Sequence, residues 1–169
     1  GIALVAGATI HVLKDAGKVE HLAGLIAAEW GENPRRVATT GIAHTRWATH
    51  GAPTAANAHP HTDGAGRIAL VHNGIIENYV ALRAQLEGGG HRFLSETDTE
   101  ALAVLVGELY SGDLFQAVCA ALKQVEGTFG IAVVAADSPD TIVVARRGSP
   151  LVIGLAEGET IVASDVSAI

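Results

Sequence analysis

The chain has 169 residues, of which 49% are hydrophobic and 17% charged, so it can bury a sizeable core and falls in the size range of one globular domain. Its net charge of −7, with no cluster of basic residues, disfavours nucleic acid as a partner, and no apolar run approaches the roughly 20 residues that cross a bilayer. A single cysteine excludes a disulfide framework, and the first residues lack a secretory leader, so we expect a cytoplasmic protein.

Hydrophobic spacing and capping residues predict short helices and strands along the whole chain. Helices are predicted where apolar residues recur at helical period behind a capping residue, and strands where short β-prone runs are bounded by turn residues. In chain order the predicted elements are strands over 2–5 and 9–13, a helix over 18–29, strands over 41–47 and 67–71, helices over 78–86, 98–109 and 113–125, and strands over 129–135, 141–146, 151–155 and 160–163. Adjacent helices followed by consecutive strands indicate an α+β protein with helices layered on antiparallel sheets.

Two charged side chains stand where they can bind a small ligand. Arg46 lies late in a predicted strand, and its planar guanidinium can hold a carboxylate through two parallel hydrogen bonds. The alternative is an internal salt bridge, but the neighbouring Thr45 and Thr49 favour ligand binding. Asp98, at the predicted start of a helix, is also explained as an N-cap; the two roles are compatible because a capping residue can face a cavity.

The dipeptide Asn73-Gly74 is ordinarily a turn. The residues from Ile75 onward do not promptly begin a paired strand, so a plain two-residue hairpin is disfavoured. A side-chain amide and a backbone N–H that point the same way make a donor pair for a developing oxyanion. With Arg46 and Asp98, this pair supplies the cation, the amide and the carboxylate needed to hold a free amino acid.

Closely spaced histidines raise the alternative of a zinc site. His44, His50, His59 and His61 fall within eighteen residues, but no cysteine accompanies them and no glutamate stands at the spacing of a zinc protease, so a metal-free site is favoured. The glycine-rich segments lack the Lys-Ser/Thr of a phosphate loop, and no cofactor is expected. Cys119 fits a helical core pattern and is interpreted as structural.

Six segments of the sequence carry a family resemblance. They are HTRWATHG at 44–51, AHPH at 58–61, VHNGIIEN at 71–78, SETDTE at 95–100, GSPLVIGL at 148–155 and ASD at 163–165. In this order and spacing they resemble the glutaminase domain of the glutamine–fructose-6-phosphate aminotransferases (glucosamine-6-phosphate synthases), a family of class II glutamine amidotransferases. The amidophosphoribosyltransferases share the Arg, Asn-Gly and Asp elements and are the alternative.

The resemblance covers essentially the whole chain and implies a fold. That fold is the N-terminal-nucleophile hydrolase type, a four-layer αββα sandwich of two antiparallel sheets between helical layers. Residues 1–169 would then be a partial glutaminase domain, truncated at both ends, without the sugar-phosphate isomerase domain that takes fructose 6-phosphate. The resemblance also implies glutamine as the substrate and a homodimer for the full-length protein.

The resemblance further implies a role for each candidate site residue. Arg46 would hold the α-carboxylate of glutamine, and Asp98 would receive its α-ammonium group. Asn73 and Gly74 would form the oxyanion hole. Thr49 and His50 would line the pocket, chiefly through their backbone, and Trp47 would lie on a mobile loop near the route by which ammonia leaves.

The nucleophile of this family is an N-terminal cysteine, whereas residue 1 of this chain is Gly. The resemblance aligns Gly1 within the family's first strands, so we expect the nucleophile to lie outside this chain and the chain alone to release no ammonia from glutamine. A non-catalytic domain that binds an amino acid, with a regulatory role, is the second interpretation. Ammonia measured after mixing the chain with glutamine tests the first expectation.

Overall fold

A computed structural model describes residues 1–31, 38–46 and 52–169 of the chain. The strands are β1 (Ile2–Ala6), β2 (Thr9–Leu13), β3 (Thr40–Ala43), β4 (His61–Thr62), β5 (Ile68–Ile76), β6 (Gly127–Ala135), β7 (Ile142–Arg147), β8 (Val152–Ala156) and β9 (Glu159–Ala163). The helices are α1 (Val19–Leu25), which continues as a π-helical turn over Ile26–Trp30, α2 (Tyr79–Gly88), α3 (Asp98–Leu109) and α4 (Leu114–Leu122), and a 3₁₀ turn covers Val166–Ala168. Within the described ranges, no helix has the length and apolar character needed to cross a bilayer.

The central layer is a four-stranded antiparallel sheet in the order β4-β5-β6-β7. Strands β5 and β6 pair along their full length, from Ile68 opposite Ala135 to Ile76 opposite Gly127. Because side chains alternate across a strand, one face of this pair presents apolar residues to helices α2, α3 and α4. That face and the helices form the larger core, whose most completely buried members include Ile68, Leu70, Leu102, Val118, Ile131 and Val133.

A three-stranded antiparallel sheet, β2-β1-β3, packs on the other face of the central sheet. Its inward residues Ala3, Val5 and Ile42 are buried against the remaining alternate positions of β5 and β6, which are Ala69, Val71 and Val134. The small side chains at this contact let the two sheets approach closely. The period-2 pattern of both sheets therefore decides which residues meet between them.

Helix α1 and its π-helical turn supply the fourth layer. In β2, Ile10 and Val12 point toward the central sheet, so His11 lies on the outer face of the three-stranded sheet. There its ring meets the edge of Trp30, with centroids 6.4 Å apart. The order helix, sheet, sheet, helices confirms the predicted αββα sandwich of the α+β class.

The start of α3 is held by an extended capping arrangement. Thr97 is the N-cap, and its hydroxyl accepts from the Glu100 N–H at 3.3 Å. The Thr-x-x-Glu spacing is that of a capping box, but the Glu100 carboxylate reaches past the cap. It accepts from the backbone N–H groups of Leu94 and Ser95, at 2.8 and 2.7 Å. The carboxylate therefore ties the preceding loop to the helix as well as capping it.

Two predicted elements differ from the structure in ways that bear on the site. The strand predicted over 41–47 ends at Ala43, so Arg46 lies beyond it and the prediction of a strand position for Arg46 was wrong. The strand predicted over 67–71 instead continues through Asn73-Gly74 to Ile76. A turn at this dipeptide is excluded, because it is paired with β6 throughout.

The last strands also differ from a simple meander. Strands β8 and β9 form their own two-stranded sheet, separate in the described residues from the sheet that contains β7. Between β7 and β8 the chain passes through Gly148, at a φ of 78°, and Pro150, which has no N–H to continue the ladder of hydrogen bonds. The short strand β4 was not predicted, since two residues are too few for a sequence pattern.

Candidate active site

The candidate site is built around the middle of strand β5, where neighbouring side chains point to opposite faces. The imidazole of His72 lies on the helical face, with Nδ1 3.1 Å from the Thr99 hydroxyl of α3. Asn73, the next residue, contacts His44, which follows β3 in the other sheet. Strand β5 therefore has the charged start of helix α3 on one side and the Asn73 amide on the other.

Asn73 is held by a short hydrogen bond. Its Oδ1 lies 2.7 Å from Nε2 of His44. The backbone of His44 is itself anchored to the start of β1, because its N–H donates to the Gly1 carbonyl at 3.0 Å and its carbonyl accepts from the Gly1 nitrogen at 2.9 Å. Burial lowers the pKa of His44, an effect that the hydrogen bond to Asn73 opposes. The imidazole is therefore neutral at neutral pH.

Gly74 occupies a position that no other residue fits. Its φ is +137°, and a Cβ built on it would lie 2.1 Å from the Thr128 carbonyl oxygen on β6. Both the backbone conformation and the close approach of β6 require glycine here.

Asp98 is the first residue of α3 and is only 6% exposed. Its Oδ2 accepts from the Ile76 N–H at 2.8 Å, and its Oδ1 accepts from the Thr99 hydroxyl at 3.3 Å. Its Oδ2 also lies 3.9 Å from Nδ1 of His72. The N-cap role considered for Asp98 was wrong, because Thr97 is the N-cap and Asp98 is the first residue of the helix. The ligand-binding role of Asp98 stays a prediction.

Two clefts meet at His44. The larger, of about 840 Å³, is lined by Arg46 and His59 together with residues of α1. The smaller, of about 470 Å³, is lined by Asn73 and by strands β3, β6 and β9. His44 lines both clefts, whereas Asp98 lines neither. Arg46 therefore shares the larger cleft with His44, and Asn73 shares the smaller cleft with His44. Asp98 lies on the other face of the strand that carries Asn73, where it accepts from the Ile76 N–H.

A buried network of imidazoles and hydroxyls supports this region. The Thr99 hydroxyl lies 2.9 Å from Nε2 of His59 as well as near His72, and the Thr97 hydroxyl lies 3.0 Å from Nε2 of His61. The rings of His44 and His59 are 4.4 Å apart between centroids. Burial lowers the pKa of His61 to about 3, and it also lowers the pKa of His59 and of His72. These imidazoles are neutral structural groups at neutral pH.

The network was not predicted from the sequence. His59 and His61 were considered as zinc ligands, but the structure pairs each with a threonine hydroxyl. Among the residues that the structure describes, no three His, Cys, Asp or Glu side chains are arranged to hold a metal ion. The sequence contains both the His-Pro-His segment and the pair Thr97 and Thr99. It does not show that these segments contact each other, because that contact depends on the tertiary fold.

Three predicted site residues, Trp47, Thr49 and His50, lie outside the described residues. Their implied contacts with the ligand stay predictions.

The single cysteine, Cys119, is half-buried on α4, which packs in the helical layer. Its hydropathy pattern had predicted that helical position.

A known protein family matches most of the chain. The model of the glutamine amidotransferase domain matches residues 44–169, which include Arg46, Asn73, Gly74 and Asp98. The chain belongs to the glutamine amidotransferase domain family.

The relatives with similar sequences share one name, glutamine–fructose-6-phosphate aminotransferase (isomerizing). The protein of Streptomyces coelicolor is 52% identical over 170 residues and that of Thermus thermophilus 54% over 169 residues, matches that cover 99% and 100% of this chain. The protein of Aquifex aeolicus is 48% identical over 169 residues. The chain spans only 27–28% of the length of these relatives.

Solved structures of similar fold come from a related enzyme. The glutamine phosphoribosylpyrophosphate amidotransferase of B. subtilis, in complex with ADP and GMP, superposes with a TM-score of 0.74 at 26% identity over 99% of this chain and 35% of its own. A structure titled as the allosteric regulatory enzyme of purine biosynthesis gives a TM-score of 0.70 at 25% identity, over 99% of this chain and 36% of its own. The fold is therefore that of the N-terminal-nucleophile amidotransferases.

Proposed function

We propose that this chain is the glutaminase domain of a glutamine–fructose-6-phosphate aminotransferase. The domain hydrolyses the side-chain amide of glutamine to glutamate and ammonia, and the ammonia converts fructose 6-phosphate to glucosamine 6-phosphate at a second domain. The observation that carries the proposal is Asn73-Gly74, held in mid-strand with a glycine that no side chain can replace and an amide oriented by His44. Such a pair of donors suits the oxyanion of an acyl-transfer reaction.

Each charged residue has a place in this reaction. Arg46, on the wall of the larger cleft, would hold the α-carboxylate of glutamine with its guanidinium fork. Asp98 lines neither cleft, so its proposed contact with the α-ammonium group is carried over from the family that the chain resembles. Its carboxylate retains acceptor capacity beyond the bonds from Ile76 and Thr99. Thr49 and His50 would complete the lining of the glutamine pocket, and Trp47 would lie beside it.

The attacking group is proposed to be an N-terminal cysteine, as in the family that the chain resembles. Its thiolate would add to the amide carbon of glutamine and form a tetrahedral intermediate, whose oxygen accepts from Asn73 Nδ2–H and Gly74 N–H. Collapse with a proton on the leaving nitrogen releases ammonia and leaves a glutamyl thioester. Water then hydrolyses the thioester to glutamate. Cys119 is excluded as that nucleophile because it lies in helix α4, in the helical layer.

The main alternative acceptor is phosphoribosyl pyrophosphate. The solved phosphoribosylpyrophosphate amidotransferase and the allosteric enzyme of purine biosynthesis share the fold, but they are 26% and 25% identical to this chain. The fructose-6-phosphate enzymes are 48–54% identical over essentially its whole length. Similarity therefore favours fructose 6-phosphate as the acceptor. We also propose that the full-length protein is a homodimer in the cytoplasm, a reducing compartment in which the unpaired thiol of Cys119 is stable.

The substitution Asn73→Ala in the full-length protein tests this proposal. We expect kcat for glutamate release to fall by roughly 10²–10³-fold, the usual effect of losing one oxyanion donor, with a small change in KM for glutamine. Ammonia and glutamate are measured with fructose 6-phosphate or phosphoribosyl pyrophosphate as the acceptor. Binding of glutamine without turnover in the unsubstituted protein would instead show a non-catalytic amino-acid-binding domain.

A further inference from the structure

We propose that His44 is a positioning residue for Asn73, whose Nε2–H fixes the Asn73 side-chain amide with its NH₂ group toward the smaller cleft. The inference rests on the proposed function, since it names a group that orients the oxyanion donor. The two side chains come from different sheets, and their contact spans 29 positions in sequence.

The first step concerns which atom donates. The 2.7 Å contact joins Nε2 of His44 to the amide oxygen of Asn73. An amide oxygen carries no hydrogen, so the imidazole must donate through Nε2. The opposite arrangement rotates the amide and places its NH₂ group against a bare Nε2. That arrangement would present an amide oxygen, which repels an oxyanion, to the cleft.

The second step concerns why the proton stays on Nε2. The neutral imidazole has a single N–H, and Nδ1 of His44 is buried without a hydrogen-bond partner in the part of the chain that the structure describes. A proton on Nδ1 would leave a buried N–H donor unsatisfied, which folded proteins avoid more strictly than an unpaired acceptor. Protonation at Nε2 satisfies the donor through Asn73. The burial of His44 therefore selects the tautomer, and the tautomer selects the orientation of the amide.

The third step concerns rigidity. The backbone of His44 is fixed to Gly1 by two hydrogen bonds, and its ring packs at 4.4 Å against that of His59, which is 4% exposed. Nε2 of His59 is in turn 2.9 Å from the Thr99 hydroxyl of α3. The imidazole of His44 is thus held through its backbone and by the packing of its ring on His59, so it can hold Asn73 in one orientation before substrate arrives. Such preorganisation is what makes an oxyanion donor effective.

A matched pair of substitutions tests the proposal in the full-length protein. In His44→Gln the side-chain NH₂ reaches the place of Nε2, whereas in His44→Asn it is one methylene too short. We expect His44→Asn to lower kcat for glutamate release roughly 10–100-fold with KM for glutamine nearly unchanged, which is less than the loss of the donor itself. His44→Gln should recover most of the activity. His91→Gln is the control, because His91 pairs with Glu108 on the surface.

A second measurement reads the tautomer directly and needs no activity. The nitrogen chemical shifts of isotope-labelled His44 in the unsubstituted protein should show Nε2 protonated and Nδ1 bare at neutral pH. A proton on Nδ1 would overturn the proposal even if neither His44 variant folds. Equal activity of folded His44→Asn and His44→Gln would also overturn it. If Asn73→Ala keeps full turnover, the proposed oxyanion role fails, irrespective of the tautomer found.

Discussion

At the scale of single residues, Gly74 shows how backbone packing can fix the geometry of the candidate site. Substitution Gly74→Ala places a methyl group against the Thr128 carbonyl and forces a φ of +137° on a residue with a Cβ. We expect a loss of about 3 kcal/mol or more in the free energy of unfolding. Urea unfolding of the chain measures it.

A second glycine separates the two causes of that loss. Gly64 has a φ of +78° but nothing within 4 Å of its Cβ position. Gly64→Ala should therefore cost only the conformational part, about 1–2 kcal/mol. Equal losses at the two positions would show that the contact with Thr128 is unimportant.

The proposed role of Arg46 in binding glutamine depends on its planar guanidinium group as well as on its positive charge. Arg46→Lys keeps the positive charge and loses the planar fork, so glutamine binding in the full-length protein should weaken by about 1–3 kcal/mol. The measurement is KM for glutamine, with kcat expected to change little. An unchanged KM would favour the internal salt bridge that the sequence left open.

At the scale of elements, the start of α3 combines a cap with a buried polar network. Thr97 accepts from the Glu100 N–H and also contacts His61 and Ser95 through its hydroxyl. Thr97→Val keeps the shape and removes all these bonds, so we expect a loss of about 2–4 kcal/mol in the free energy of unfolding. Thermal or urea unfolding of the chain measures the change.

The N-cap of α4 provides the matched comparison. Asp113 accepts from the Gln116 N–H at 3.0 Å on the surface and has no such network. Asp113→Ala should cost about 1 kcal/mol, the ordinary value of a cap. If Thr97→Val costs no more than this, the contacts to His61 and Ser95 contribute nothing to stability.

The same elements show what local sequence predicts well. Helices α2, α3 and α4 have apolar residues at helical period and Asn78, Thr97 and Asp113 at their starts. The sequence predicted the start of each helix to within one residue. Asn78 does not make the capping bond expected of it. Its side chain instead donates to the Gln124 carbonyl at 2.8 Å and accepts from the Glu126 N–H. The predicted start of α2 was right because a short polar residue suits that position. The hydrogen-bond partners of Asn78, however, come from the neighbouring segment that contains Gln124 and Glu126.

At the scale of the whole molecule, the buried imidazoles make stability depend on pH. Folding lowers the pKa of His61 from 6.5 to about 3, so between these values the unfolded chain binds the proton and the folded chain does not. Stability is therefore full above about pH 6.5 and falls as the pH drops, by about 1.4 kcal/mol per pH unit for such an imidazole. The lowered pKa values of His44, His59 and His72 act in the same direction.

Urea unfolding between pH 7.5 and pH 5 measures this dependence. The midpoint should fall steadily below about pH 6.5, and His61→Gln should reduce the slope because Gln does not titrate. A midpoint that stays constant over this range would contradict the burial of neutral imidazoles.

The sequence by itself determined the class of fold, the order of the longer elements and the identity of Arg46, Asn73, Gly74 and Asp98 as candidates. Periodicity, capping residues and closely spaced motifs are local properties, so they can be recognised without knowing the tertiary contacts. Only the tertiary structure decided that Asn73-Gly74 lies within a strand, because the pairing with β6 overrides the turn preference of the dipeptide.

Only the tertiary structure, too, joined His44 to Asn73 and paired the histidines with threonine hydroxyls. These contacts connect residues 27 to 40 positions apart, across two sheets and a helix. Their partners are selected by the burial of polar groups, which must find hydrogen bonds once water is excluded. No local pattern records that choice, because it arises only when distant segments are packed together.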